Sequence, residues 1–412
     1  MIKKYFNLIV LLVLTVNLCG QQTIFYDSEW KETKANKATF YRIDSKTKGG
    51  FVRTDYFASN KRPFMTGQYL SLYPEIKTGE FNWYYENGRL KHKGEYLDNK
   101  EIGTHKWYYD NGQLEAIENY SMGRLEGDYK EYYRNGTLKY YGEYSDNMKI
   151  GTHKWYYENG QLEAVENYSM GRLDGDYKEY YKNGVLKYYG EYSEHRKIGT
   201  HKWYFENGRL GTVENYSMGR LDGDYKEYYE NGTLRYYGEY MDNRKTGTHK
   251  WYFDNGTVGT IENYSMGKLN GDYKEFYKNG ALKYRGEYLD NKKTDTHKWY
   301  FDNGTVGTIE NYLMGKLDGD YKEYYETGVL KYRGEYLDNK KTGTHKWYFD
   351  NGIVGTIENY SMGMLNGDYK EYYENGILKY SGEYLNNRKI GTHKWYFDNG
   401  MVKATENYSR DF

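Results

Sequence analysis

Along most of this chain, aromatic and polar residues alternate in short runs punctuated by Gly, Asn and Asp. The stretch "GDYKEYYRNGTLKYYGEY" (127–144) is representative. A period of two is the mark of a half-exposed β-strand. Asn-Gly between two such runs is a strong hairpin signal, because a two-residue type I′ turn needs positive φ at both central residues. Such a turn at Asn135-Gly136 predicts Tyr133 opposite Leu138, Glu131 opposite Tyr140 and Tyr129 opposite Gly142 on one side of the sheet. On the other side, Tyr132 faces Lys139 and Lys130 faces Tyr141. The first side offers the Tyr129 ring lying over a glycine, which packs well in a sheet. The second offers Tyr–Lys pairs suited to a wet surface.

The pattern repeats. The phrase "GTHKWYYDNG" (103–112) recurs with its Thr at 104, 152, 200, 248, 296, 344 and 392, a spacing of 48. That period halves: "GTHKWYYDNGQLEAIENYSMGRLE" (103–126) and "GDYKEYYRNGTLKYYGEYSDNMKI" (127–150) share their Gly, Lys, Tyr-Tyr, Asn-Gly and Leu positions. The unit is therefore 24 residues. Unit starts fall at 79 and every 24 residues to 391, fourteen units with the last truncated. "YFASNKRPFMTGQY" (56–69) reads as a degenerate earlier unit, so residues 21–78 are expected to form an N-terminal cap. The predicted fold is all-β: an elongated antiparallel β-hairpin repeat, in 48-residue pairs of units, over residues 79–412.

Variation among the copies sorts the two faces. The slot of Tyr140 is Tyr again at Tyr188, Tyr236, Tyr284, Tyr332 and Tyr380, whereas Tyr141, Tyr189 and Tyr237 give way to Arg285, Arg333 and Ser381. A position that accepts Arg and Ser is not sealed in a core, so the Tyr140 side is expected to be buried and the Tyr141 side exposed. Trp107 falls on the buried side opposite Ala116. The residues opposite the seven repeat tryptophans are Ala116, Ala164, Thr212, Thr260, Thr308, Thr356 and Ala404, always small. A wide indole against a small partner keeps local volume constant, as close packing requires. Thr327-Gly328 replaces Asn-Gly and Asp295 replaces a unit-opening Gly, so these two hairpins are expected to be the least regular.

Composition supports this picture. Tyr supplies 57 residues and Gly 48, and the two prolines, Pro63 and Pro74, both precede the array. An uninterrupted hydrogen-bonded ladder has reason to avoid proline, and Tyr can supply burial while its hydroxyl reaches water. Residues 1–20 read as an export signal: Lys3 and Lys4, the apolar run "FNLIVLLVLTV", then "GQQT". Cys19, the one cysteine, lies where an acylated lipoprotein residue would fall, although Leu18 occupies a place where a small residue is usual. Two outcomes stand open, lipid anchoring through Cys19 in the cell envelope or cleavage near Gly20 to a secreted chain. Removing Lys3 and Lys4 from 59 basic side chains leaves 57 against 59 acidic, interspersed in sign. That balance argues against nucleic acid and against a polybasic membrane stripe, leaving membrane attachment to the lipid anchor alone.

The residues Gly127, Tyr129, Tyr132, Asn135-Gly136 and Gly142 resemble the MORN repeat in its bacterial variant form, over Gly79 to Phe412. The resemblance implies a β-hairpin ribbon acting as a scaffold or binding surface. Many bacterial members carry an antitoxin label, and an export signal departs from that label by taking the chain out of the cytosol. Eukaryotic relatives join the repeat to enzymatic domains, for which no segment here is long enough.

Chemistry is sparse. His105, His153, His201, His249, His297, His345 and His393 recur once per four strands, about 19 Å apart at ~4.8 Å per strand, too far to share a metal. They are expected to be ordinary ladder residues. No phosphate loop, nucleophile elbow or zinc motif occurs, so no catalytic, metal or cofactor site is expected. Exposed Tyr141, Tyr189 and Tyr237 are candidate ligand-facing rings for glycan or cell wall. The "SMGRLE" (121–126) and "SDNMKI" (145–150) loops share the edge opposite the Asn-Gly turns, with Met122 and Leu125 expected to cap the core. Protein partners are the leading expectation, as for an interaction scaffold. Cell-wall binding and antitoxin-like inhibition are the alternatives. The C-terminal edge strand is a candidate for self-association.

Overall fold

The computed structural model describes residues 23–409. Those residues form 37 β-strands and one short 3-10 turn, Ala35–Lys37. The chain divides into two units, residues 1–184 and 185–412. In the first, β1 (Thr23–Tyr26), β2 (Phe40–Thr47), β3 (Gly50–Phe57), β4 (Pro63–Leu72) and β5 (Glu75–Tyr84) pair antiparallel in chain order. The order continues through β6 (Leu90–Leu97), β7 (Lys100–Tyr108) and β8 (Leu114–Ser121), which meets both β9 (Arg124–Leu125) and β10 (Gly127–Tyr132). It ends with β11 (Leu138–Ser145), β12 (Met148–Tyr156), β13 (Leu162–Ser169) and β14 (Arg172–Tyr180). The second unit repeats the same scheme from Leu186–Ser193 to Val402–Tyr408. Within each unit successive hairpin strands pair antiparallel, so the fold is the predicted antiparallel hairpin repeat.

At the N-terminal end, Trp30 stacks on Phe40 with ring centroids 4.6 Å apart, and Phe64 closes the cluster against Phe40 and Phe57. Beside it runs a charged network that replaces apolar packing. Arg42 binds the buried Asp55 in fork geometry at 2.7 and 3.0 Å, and the buried Arg53 binds Asp44 at 2.8 Å and also Glu75. Such pairs hold their partners strictly, because removing one strands the other without solvent.

Within the hairpins, Tyr129↔Gly142, Lys130↔Tyr141 and Glu131↔Tyr140 pair as the alternation predicts, and the seven repeat tryptophans from Trp107 to Trp395 face their small partners. The turn chemistry differs. Asn135 does not take positive φ; only Gly136 does, at 87°. The Gly136 amide donates to Tyr133 O and the Tyr133 amide to Thr137 O, each at 2.8 Å. This is a type I turn closed by a left-handed glycine, and the bulge it introduces brings Tyr132, not Tyr133, opposite Leu138. Asn135 has another task. Its Oδ1 accepts the Thr137 amide (2.9 Å), while its Nδ2 donates to Glu158 O of the next hairpin (3.3 Å). Tyr133 Oη donates to Tyr156 O in the same sense (2.8 Å). Thr327 is accommodated for this reason: its position needs no positive φ, and the Tyr325 turn keeps its bonds at 2.8 Å. Asp295 also preserves its pairing with Tyr312, but it does so at φ 61°.

The type I′ turns lie on the opposite edge, at the segments read from sequence as loops. Asp146-Asn147 (φ 53° and 66°) joins Ser145 to Met148, and Met170-Gly171 (47° and 78°) joins Ser169 to Arg172. Where another turn lies alongside, Asn147 also bonds sideways, its Oδ1 accepting the Leu125 amide at 2.7 Å.

The core differs most from expectation at glycine. The ring over Gly142 belongs to His153, from the next hairpin, and not to Tyr129. A Cβ on Gly142 would lie 2.2 Å from His153 Nδ1, and the same holds at Gly94, Gly190, Gly238, Gly286, Gly334 and Gly382. The repeat histidines are completely buried, deeper than the half-buried tryptophans. Each is fully bonded. His153 Nε2 donates to Glu143 O at 3.0 Å, and Nδ1 accepts the Tyr140 hydroxyl, which itself accepts from Tyr144 at 3.1 Å. At Gly67 the covering ring is Phe81 instead. These histidines are core residues.

Three outcomes follow. Gly142→Ala must displace a buried, bonded ring, and it is expected to cost about 2 kcal/mol or more, read as accelerated amide exchange in residues 138–156. Asp295→Gly relieves a left-handed L-residue and should raise local stability by roughly 1 kcal/mol, read by the same exchange at residues 292–312. The third concerns pH. Burial, and next the lysine beside each ring, hold His153, His201, His249, His297 and His345 below the ordinary histidine pKa. The unfolded chain then binds more protons than the folded one below a pH of about 6.5. Stability is therefore full above that value and lost as pH falls through it. Thermal unfolding by circular dichroism should show a lower midpoint at pH 5 than at pH 7.5, and equal midpoints would contradict neutral, buried imidazoles.

Candidate functional site

Three surfaces offer chemistry: the inner face beside the histidines, the outer face of tyrosines and lysines, and the turn edge. On the inner face, Trp155 lies against Tyr140 at 4.2 Å between centroids. Lys149 reaches over both from the I′ turn. Its ammonium is 5.5 Å from each of these rings, 4.7 Å from that of Tyr168 and 3.9 Å from the Glu166 carboxylate. Glu166 also accepts from Trp155 Nε1 (3.1 Å) and the Tyr168 hydroxyl (3.0 Å). A cation among aromatic faces beside one carboxylate is a stable arrangement. Burial and the Glu166 charge hold the Tyr168 hydroxyl protonated, well above the ordinary phenol range. The slot recurs with Lys197 and Glu214 (3.6 Å), Lys245 and Glu262 (3.9 Å), Lys293 and Glu310 (3.6 Å), and Lys341 and Glu358 (3.9 Å). These copies bring their own lysine.

A cavity of about 310 Å³ opens on the same face between Trp107, Tyr109 and Tyr129, over Ala116, with Glu118 and Glu131 on its wall. Lys139 already pairs with Glu131 at 2.9 Å. Among the described residues no group of three metal-ligating side chains occurs.

On the outer face, Tyr141 pairs with Lys130 on one side and Lys154 on the other, and Tyr237 with Lys226 and Lys250; Tyr189 faces Lys202 across its strand pair. All three rings are half-buried. Lys130 Nζ sits 5.4 Å from the Tyr141 centroid and Lys226 Nζ 5.6 Å from that of Tyr237. The Tyr141 hydroxyl donates to Asp128 at 3.3 Å, and that of Tyr237 to Glu239 at 3.2 Å. Cys19 lies outside the described residues.

The turn edge holds residues that the alternation did not single out. Met122, Met170, Met218, Met266, Met314 and Met362 occupy the first centre of their I′ turns at φ 47–51°, and they are 51–76% exposed. They do not cap the core. The intervening turns carry Asp98, Asp146, Glu194, Asp242, Asp290, Asp338 and Asn386 at that place. Leu289, Leu313, Leu337 and Met241 beside the turns are also exposed. The final strand, Val402–Tyr408, is exposed along most of its length.

Sequence reasoning missed the buried histidines and the inner lysines. Their signal was present, since Lys149 recurs as Lys197, Lys245, Lys293, Lys341 and Lys389 while exposed neighbours drift.

The family model described as MORN repeat variant matches residues 77–98, 101–122, 125–146, 149–170, 173–194, 221–242, 269–290, 317–338, 365–386 and 389–410. A solved structure described as "Crystal Structure of TcdB2-TccC3-TEV" is similar at 11% identity and a TM-score of 0.14. That likeness covers 95% of this chain and 24% of the other, so the chain spans about a quarter of its length. No curated protein is similar to the chain. Repeats of this family generally serve in protein or membrane interaction, as scaffolds that are not typically enzymatic. Ten matched segments of 22 residues take in 220 of 412 residues, more than half, and the chain belongs to the MORN repeat variant family.

Proposed function

We propose that the chain is an exported, non-enzymatic scaffold of the bacterial cell envelope whose turn edge presents repeated sites to protein partners. One observation carries the reading. Six methionines are held at positive φ, where an unbranched L-residue costs about 1 kcal/mol and where the alternate turns carry Asp or Asn, with Glu194 the one exception among the described residues. Neither packing nor turn chemistry rewards methionine there. An exposed thioether chain that adapts to varied apolar surfaces does. Successive methionines within a unit stand four strands apart, about 19 Å at ~4.8 Å per strand, a spacing that suits a repeated or extended partner. The charged start of the chain, its apolar run and Cys19 support export, with lipid attachment holding the scaffold at the envelope. Glycan stacking on Tyr141 and Tyr237 requires Lys130 and Lys226 to leave their ring faces first, which makes the protein reading the better supported.

The test replaces Met122, Met170, Met218, Met266, Met314 and Met362 together with Asn. Asn tolerates left-handed φ, so the variant should melt at or above the wild-type temperature. Cross-linking in producing cells should yield defined protein adducts with the wild type and lose them with the variant. Retention of those adducts, or retention of the chain on purified peptidoglycan through Tyr141, would remove the turn edge as the site.

A further inference from the structure

One copy of the inner slot breaks the rule that its siblings keep. Where Lys149, Lys197, Lys245, Lys293, Lys341 and Lys389 stand, the earliest copy has Glu101, and where they have Tyr140 and its equivalents it has His92. The rest of the slot is intact. His92 stacks on Trp107 with centroids 3.7 Å apart and planes at 5°, and Trp107 Nε1 donates to Glu118 at 2.8 Å. The Tyr120 hydroxyl donates to the same Glu118 oxygen at 3.0 Å. Both changes remove matter from one place, the lysine stem and the far half of a phenol. The space is real: a cavity of about 200 Å³ is lined by His92, Glu101 and Trp107, with Tyr96, Trp83 and Phe64 continuing its aromatic wall and Lys91 also facing it. Lys77 reaches the Tyr96 ring at 5.0 Å from the preceding strand. Among the described residues, no basic side chain lies within ion-pair distance of Glu101 or Glu118. Glu101 has only a long contact from the Tyr96 hydroxyl, at 3.4 Å.

We propose that this slot binds a primary alkylammonium supplied from outside the chain, its charge at Glu101 and its stem against His92 and Trp107. The reason is internal to the protein. Five sibling slots hold a lysine ammonium within 3.6–3.9 Å of the carboxylate equivalent to Glu118 and over the same rings. Here the lysine is gone, a second carboxylate replaces it and the room for a stem is open. The ring faces favour a cation, and Glu101 puts a carboxylate where the siblings carry a positive charge. The ammonium comes either on a lysine side chain of a partner protein or on a free alkylamine. The site lies on the sheet face and is independent of the turn edge, so loss of partner capture by the methionine variant leaves it untouched.

The full chain is titrated calorimetrically at low salt with N-acetyl-lysine-N-methylamide, with butylamine, and with the norleucine analogue that lacks the ammonium. Saturable binding of one amine per chain, absent for norleucine, is expected. Tighter binding of the lysyl amide assigns the ammonium to a partner protein, and tighter binding of butylamine to a free amine. Glu101→Lys restores the sibling arrangement. It should fold, melt no lower than wild type and weaken binding at least tenfold. Lys149→Glu should create a second site and raise the stoichiometry from one to two. No saturable binding by wild type, undiminished binding by Glu101→Lys, or failure of Glu101→Lys to fold would each overturn the proposal, the last because the slots would then not be equivalent.

Discussion

A histidine ring lying on bare backbone is the contact on which each pair of repeats depends. With no Cβ at Gly142, the imidazole of His153 sinks to where a side chain would otherwise begin, 2.2 Å from the ideal Cβ position. At that depth both ring nitrogens need partners, because an orphaned buried polar atom costs more than a hydrogen bond returns. Glu143 O takes the proton of Nε2 and Tyr140 supplies the proton to Nδ1, which fixes the neutral ring and its tautomer. Tyr140 is then itself committed, with Trp155 packed on its face and Tyr144 on its hydroxyl. Four residues from two successive hairpins are tied by one missing methyl group. This is how a protein poor in aliphatic side chains acquires a core: aromatic and imidazole rings bury the area while their polar atoms bond to one another and to strand carbonyls.

The two edges solve a different problem, the lateral attachment of one hairpin to the next. On the Asn-Gly edge, side chains cross the gap, Asn135 to Glu158 O and Tyr133 to Tyr156 O. On the other edge, Asn147 at left-handed φ does it through its amide oxygen. In repeat arrays stability is close to a sum of unit and nearest-neighbour terms. A missing stitch is therefore local, and Thr327 can forgo the outgoing bond while its turn and the incoming bond from Asn303 persist. The methionine turns join these attachments through their backbone alone, the Gly171 amide donating to Lys149 O at 2.8 Å; the exposed methionine side chains add nothing to them, which marks those side chains as surface rather than scaffold.

Much of this was legible in the alternation of residues. Period two and the Asn-Gly punctuation place every hairpin, and counting outward pairs Trp107 with Ala116 correctly although the assumed turn is wrong. The type I turn with a left-handed glycine and the bulge beyond it add compensating offsets, so the register past the bulge is the one a type I′ turn would give. Asn-Gly suits both turns, and residue preference alone cannot choose. The histidine was missed for a related reason. Counting from a turn predicts partners within a hairpin, whereas His153 meets Gly142 across the junction of two hairpins. There β12 carries extra residues around Gly151, at φ 67°, and the count slips. The exposed methionines were misjudged because apolar character was read as burial, when the left-handed turn centre turns the side chain outward.

Copies made by duplication are poor evidence for function when they agree, since one sequence written seven times is one observation. They become informative where they disagree, because each sibling is a control on the others. Some changes are compensated. Phe205 replaces the tyrosine of Tyr109, losing its bond to a strand carbonyl, and Gly211 replaces the glutamate of Glu115 beside it. A Cβ on Gly211 would lie 3.3 Å from the Phe205 ring, so the smaller residue admits the ring and the pair reads as repacking. Arg285, Arg333 and Ser381 change an outer position where water accepts any of them. The slot of Glu101 belongs to neither class. Its charge is reversed and its neighbour shortened, and no described basic side chain comes within ion-pair distance of Glu101, although Lys91 lines the same space. A carboxylate beside stacked rings, held by one long hydrogen bond and no cation, is costly, and a fold that elsewhere satisfies its inner charges with its own lysines leaves that partner to come from outside.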